Sequence, residues 1–247
     1  MLFILKLQFK SSQFCVNPFK LQNETGDMSN LRKKLNPHDP HSLSDKFRKK
    51  RFRYFLELIK DISLPVKILD VGGTQSFWEQ MNFTSPDEVS ITILNNETVN
   101  VTLPNFKFVK GNATDLYKSD NLEFDVIFSN SVIEHLGSFR NQKKMAEAII
   151  RLGKKYFVQT PNYYFPFEPH FLFPFFQFLP YKIKVFLLMN LNLGWYRKQE
   201  NKTDAETIIN SINLLTRKQL KELFPSSKII KEKILLLTKS HIVIKLH

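Results

Sequence analysis

The stretch that most constrains this chain is Val66-Lys67-Ile68-Leu69-Asp70-Val71-Gly72-Gly73-Thr74-Gln75-Ser76-Phe77-Trp78. A short apolar run ends at an aspartate, two glycines follow, and apolar residues resume at helical spacing. That order predicts a buried parallel strand, a tight turn and a helix start. In open α/β sheets ligands bind outside the carboxyl ends of the strands, and glycines there let a ligand approach the backbone. Asp70 stands at the strand end, where its charge suits a cationic or hydroxylated ligand. A dinucleotide fingerprint needs G-x-G-x-x-G. Only Gly72 and Gly73 are present, which argues against a pyrophosphate site and a nicotinamide enzyme.

The rest of the chain supplies neighbours for that strand. Residues 44–60 predict an amphipathic helix capped by Ser44 or Asp45. Phe47, Phe52, Phe55, Leu56 and Ile59 form its apolar stripe, and Arg48, Lys49, Lys50, Arg51 and Arg53 fill the other side. Further strands are expected at 88–94, 106–109, 122–128 and 155–160. Ser138 or Asn141 opens a helix that runs to Leu152, and Thr216 caps another. Two β-rich segments, 227–236 and 241–246, are joined by Thr238-Lys239-Ser240 and should pair antiparallel.

A chain of 247 residues suits one α/β domain. The single cysteine, Cys15, excludes a disulfide framework and a cysteine-based zinc site. The six histidines show no recognised ligand spacing, so no metal is expected. The net charge of +13 is concentrated early: residues 1–60 carry 13 Lys/Arg against 5 Asp/Glu. That excess suits a solvated basic helix, an anionic membrane surface or nucleic acid. Residues 1–43 are expected to be a disordered arm, with Met28 as an alternative start, and 44–247 the folded domain. The apolar run at Met1–Leu5 is too short for a signal-peptide core or a membrane span.

Two later motifs extend the pattern: Gly111-Asn112-Ala113 after the third strand, and Phe124-Asp125-Val126-Ile127-Phe128-Ser129-Asn130-Ser131-Val132-Ile133-Glu134-His135-Leu136 around the fourth. With Ile68 to Gly73, they resemble class I S-adenosylmethionine (SAM) methyltransferases of the type 11 group, which includes ubiquinone-biosynthesis enzymes. The resemblance implies a Rossmann-like α/β fold: a seven-stranded, mostly parallel sheet with helices on both faces and an antiparallel C-terminal strand.

It also implies S-adenosyl-L-methionine as cofactor. Asp70, Gly72, Gly73 and Thr74 would surround its methionine half. Asn95, or Glu97, would hold the ribose. Asn112 and Ala113 would flank the adenine, and Ser129, Asn130 and Ser131 would line the floor beneath the sulfonium. Asn95 and Asn112 stand where that family usually has acidic residues, each losing a charge but keeping hydrogen-bonding capacity.

Residues 161–181 hold ten aromatics and five prolines. The prolines forbid one long helix, and 161–202 are expected to form a substrate cap. An aromatic cap suits an apolar, aromatic, lipid or sugar-like acceptor. His135 is the candidate catalytic base, with Glu168 and His170 as further candidates on the cap. The expected function is methyl transfer to a small molecule by a cytoplasmic enzyme, with peripheral membrane contact through the 44–60 helix and the cap as an option. The alternatives are a cofactor-free membrane-surface module and an RNA methyltransferase. Ser129-Asn130-Ser131-Val132 replaces the Pro-Pro motif usual for base methylation, so nucleic acid is not expected as a partner.

Overall fold

The computed structural model describes residues 42–118 and 124–245. The expected arm up to residue 41, the start of the predicted fourth strand and the last two residues lie outside that range.

Helix α1 (Leu43–Ile59) comes first. Its cap is Ser42, just ahead of both expected residues, Ser44 and Asp45: the Ser42 hydroxyl accepts from the Asp45 amide at 3.0 Å. Strand β1 (Val66–Val71) leads through the glycine turn into the short helix α2 (Gln75–Gln80). Strands β2 (Val89–Asn95), β3 (Phe106–Lys110) and β4 (Phe124–Asn130) follow. A 3-10 turn, Ile133–Leu136, precedes α3 (Phe139–Leu152) and β5 (Gly153–Pro161). Ser129 and Asn130 are therefore strand residues, not the loop expected after Phe128.

The cap begins with a two-residue hairpin, β6 (Phe167–Glu168) and β7 (Phe173–Pro174), and continues through α4 (Tyr181–Asn190) and α5 (Lys202–Ser211). The chain then returns to the sheet through α6 (Arg217–Leu223), β8 (Lys228–Ile234) and β9 (Leu237–Lys245).

The seven-stranded sheet has the order β3-β2-β1-β4-β5-β9-β8. β1 to β5 are mutually parallel, and β9 inserts antiparallel between β5 and β8. The switch point falls between β1 and β4, where the strand order reverses. The terminal hairpin turns at Leu235–Leu236, because Ile234 pairs with Leu237. The expected linker Thr238-Lys239-Ser240 is therefore part of β9.

Each face of the sheet buries its own core, as parallel strands require. On one face Phe52, Phe55, Leu58 and Ile59 of α1 pack with Trp78, Phe128 and Phe157. Phe55 meets Trp78, Phe128 and Phe157 edge-on, at centroid distances of 5.7, 5.1 and 5.9 Å. Leu58 takes the buried place expected for Leu56, which is exposed. Most of the apolar face of α1 is thus spent on the sheet, while Tyr54 and Leu56 remain exposed beside its basic residues. On the other face Met145, Ala148 and Ile149 pack with Leu220, Leu223 and Phe224. The cap has a third core around Phe171, Phe176, Leu188 and Ile208.

Candidate active site

The turn after β1 is as tight as its glycines predict. Gly72 has φ +78°, and a Cβ there would meet Val132 Cγ2 at 2.6 Å. A Cβ on Gly73 would land on the Asp70 carboxylate. These two positions close the backbone against the end of β4 and over the end of β1.

Asp70 is not the open carboxylate expected. It is 1% exposed, and Trp78 Nε1 donates to its Oδ2 at 2.7 Å. Burial pushes the carboxyl up to about 7, against the lowering effect of that donor. A carboxyl so placed braces the turn and shares its proton near neutrality.

Beside it lies a cleft of about 230 Å³. Asp70, Gly72, Gly73, Thr74 and Asn130 line it, together with Phe77, Phe128 and Arg48. Five of the predicted cofactor residues therefore converge. Arg48 arrives from α1, with its guanidinium on Gln80 Oε1 at 2.5 Å and 5.9 Å from the Phe77 ring centroid. No pattern in the first motif points to Arg48, since it comes from a helix ahead of the sheet.

The other predicted cofactor residues do not line this cleft. Asn95 donates to the Gly73 carbonyl at 3.1 Å and accepts from the Glu97 amide at 3.1 Å, tying the β1 and β2 turns together. Glu97 is exposed. Asn112 is exposed and accepts from the Thr114 amide at 3.0 Å, and Ala113 is buried under the 3-10 turn that follows β3. The Ser129 side chain is fully buried within β4. Ser131, at φ +58°, donates its hydroxyl to Gln159 Oε1 at 2.9 Å.

The Glu-His pair after β4 meets the cap. Glu134 is fully buried and accepts from Thr160 Oγ1 at 2.9 Å. Burial pushes its carboxyl up to about 6. His135 Nε2 lies 3.2 Å from His170 Nε2. His170 Nδ1 in turn lies 2.7 Å from Glu168 Oε1. The other Glu168 oxygen accepts from the amides of His170 and Phe171, at 2.8 and 2.7 Å.

Burial opposes a charge on His170, but Glu168, through its field and its hydrogen bond, and Glu134 outweigh it and raise the pKa. Protein packed around the His135 ring and the neighbouring His170 charge hold its pKa below the ordinary value, although the residue is partly open to solvent. The sequence names His135, Glu168 and His170 as candidate bases but gives no sign that they touch. Their meeting depends on the β6–β7 hairpin bringing His170 back 35 positions after His135.

A second cavity, about 220 Å³, opens in the cap beside Glu168. Phe171, Phe176, Ile209 and Leu214 give it apolar walls, and Lys184 and Gln177 its polar groups.

No family model matches the sequence, and a search of curated proteins finds no match. Solved structures do match. The CurJ carbon methyltransferase superposes with a TM-score of 0.54 at 9% identity, over 88% of this chain and 58% of that one. The fold is that of the Rossmann-like methyltransferases. Two further similar structures have lower scores. BamL, a plantazolicin methyltransferase crystallised with a triazolic substrate analogue and S-adenosylhomocysteine (SAH), gives 0.49 at 12% identity, over 89% of this chain and 90% of that one. An O-methyltransferase family protein from Burkholderia thailandensis gives 0.44 at 10% identity, over 86% of this chain and 62% of that one. The chain thus spans less than two thirds of the Burkholderia protein and of CurJ.

Proposed function

We propose that this protein is a SAM-dependent methyltransferase acting on a small molecule. The observation that carries the reading is the cleft at the switch point of a methyltransferase-type sheet, with Asp70, Gly72, Gly73, Thr74 and Asn130 converging on it. The bound cofactor would supply the electrophilic methyl carbon.

The chain's own residues supply placement. Gly72 and Gly73 lack the Cβ atoms that would strike Val132 and Asp70, so the turn closes tightly beside the cleft. Phe77 and Phe128 give the cleft dry walls, which strengthen polar contacts within it. Thr74 and Asn130 offer short polar groups at the rim. Alignment of two reactants in a site that excludes water is most of what methyl transfer asks of a protein. The cap cavity is the proposed acceptor site, and its aromatic walls suit an apolar or aromatic acceptor.

Calorimetry with SAH tests this. Wild type should bind one equivalent, and Thr74→Trp should abolish binding by filling the cleft. Thr74 caps no backbone amide of α2, and its hydroxyl meets only the exposed Ser76 hydroxyl at 2.9 Å, so the variant should stay folded. A folded wild type that gives no heat with SAH would remove the reading.

Peripheral membrane contact is a second proposal. Leu235 and Leu236 are 93% and 90% exposed at the β8–β9 turn, and Phe175 and Phe186 are exposed on the cap. Flotation with anionic vesicles, lost in Leu236→Asp, tests it.

A further inference from the structure

We infer that Glu134, His135 and His170 form a site for a divalent metal ion, one that binds nitrogen and oxygen ligands such as Zn²⁺, Mn²⁺ or Fe²⁺. One ligand atom from each residue lies within 4.8 Å of the others. The two imidazole Nε2 atoms are 3.2 Å apart with their rings nearly perpendicular, at 89°. Two metal–nitrogen bonds of about 2.0–2.1 Å span that separation at an angle close to tetrahedral. Two histidines and a carboxylate on one side of an ion, with open positions opposite, is a recurrent ligand set for such metals.

Three further features suit a cation better than an internal hydrogen bond. First, Glu134 is fully buried, one oxygen is held by Thr160, and Oε1 has no hydrogen-bond partner. A buried carboxylate oxygen left bare is costly unless something pairs with it. Second, Glu168 fixes His170 from behind. With Nδ1–H donated to Glu168 Oε1, His170 presents the Nε2 lone pair to the site. That carboxylate–histidine arrangement is the usual way a protein orients a metal-binding imidazole. Third, Glu168 is itself 2% exposed and pinned by two backbone amides, so its direction is set before any ion arrives.

The site joins two parts of the fold. Glu134 and His135 follow β4, while His170 belongs to the cap hairpin. A bound ion would therefore clamp the cap to the sheet. If the methyl-transfer proposal holds, an open coordination position would take an acceptor oxygen and ease loss of its proton. That last role rests on the methyltransferase reading, whereas metal binding does not. The spacing criterion applied to the sequence missed the site because the third ligand is remote along the chain.

The test is calorimetry on the full chain, stripped with chelator and titrated with ZnCl₂ and separately with MnCl₂. The expected result is one equivalent of either metal, with affinity reduced at least about 10-fold in His135→Gln and His170→Gln, and by about 10- to 100-fold in Glu168→Gln. His135 is partly open to solvent, so His135→Gln keeps the test valid if a buried variant fails to fold. Co²⁺ loaded into wild type should give a visible d–d spectrum, absent in His135→Gln. Absence of stoichiometric binding in folded wild type, or binding that His135→Gln leaves unchanged, would overturn the inference. SAH titrated in parallel separates the two claims: a protein that binds metal but no SAH overturns only the methyl-transfer reading, and the reverse overturns only the metal site.

Discussion

Trp78 donates its indole N–H to Asp70 at 2.7 Å, and both side chains are sealed in the core beneath the glycine turn. The carboxyl is pushed up to about 7 by burial. Below about pH 4 it is neutral in both the folded and the unfolded chain, and burial costs little. As pH rises from there to about 7, the unfolded chain gives up its proton while the folded chain retains it. The folded state therefore loses stability across that window. Glu134, pushed up to about 6 by burial, acts in the same direction over a narrower range. Asp70→Asn keeps an acceptor for Trp78 and removes the titration. Denaturant unfolding at about pH 5 and pH 8 should show wild type losing on the order of 2–4 kcal/mol more than the variant. Equal losses would contradict this.

The two glycines fail for different reasons when substituted. Gly72→Ala meets Val132 and is also held at φ +78°. Removing the obstacle in Gly72→Ala/Val132→Ala should recover the steric part of the loss, leaving about 1–2 kcal/mol of backbone strain. Gly73→Ala strikes the Asp70 carboxylate, a group already locked by Trp78, and should cost about 1–3 kcal/mol. A double-mutant cycle in urea separates the terms, and full recovery of Gly72→Ala by Val132→Ala would disprove the strain argument.

The reading of the sequence succeeded where chemistry and periodicity coincide. The β1 strand, its glycine turn and the start of α2 lie within 13 residues, and local pattern settles all three. The order of alternating strands and helices, with a closing antiparallel pair, also follows from local signals. What was not legible depends on contacts distant in sequence. Asp70 read as a free carboxylate because nothing in the strand pattern says that Trp78 turns back onto it. Asn95 read as a ligand group, while its amide bridges two turns. Leu56 and Leu58 are nearly interchangeable in a helical stripe, and only the position of the sheet selects Leu58. Arg48 reaches the cleft from a helix ahead of the sheet, so no motif at the strand tips could name it, and His170, named as a candidate, gave no sign of its contact with His135.

Glu232 of β8 is a hub between the first helix and the last two strands. It is 5% exposed and accepts from Arg51 Nη1 at 3.0 and 3.3 Å and from Ser240 Oγ at 2.6 Å. Lys239 Nζ stands 3.9 Å from the same carboxylate and 4.1 Å from the Phe47 ring centroid. Glu232→Gln keeps the shape but leaves Arg51 and Lys239 as two mostly buried like charges without their counter-charge. The expected loss is about 3–5 kcal/mol, against about 1 kcal/mol for Ser240→Ala. Chemical denaturation of the two variants compares them directly. A loss for Glu232→Gln no larger than for Ser240→Ala would show that the charge is already satisfied by solvent.

The β8–β9 turn carries a strain that nothing in the fold requires. Ile234 and Leu237 pair, so Leu235 and Leu236 alone make the connection. A two-residue hairpin loop needs a positive φ to match the twist of its strands, and Leu235 supplies it at φ +52°. A side chain with a Cβ pays about 1–2 kcal/mol there, a cost that Asn or Gly largely avoids. Leu235 is 93% exposed, so its side chain returns almost no packing for that strain. Leu235→Asn should therefore raise stability by about 1 kcal/mol, an increase of about 2–4 °C in melting temperature for a domain of this size. Differential scanning calorimetry reads the shift. An unchanged or lower melting temperature would mean that the turn holds Leu235 at its positive φ without the expected strain.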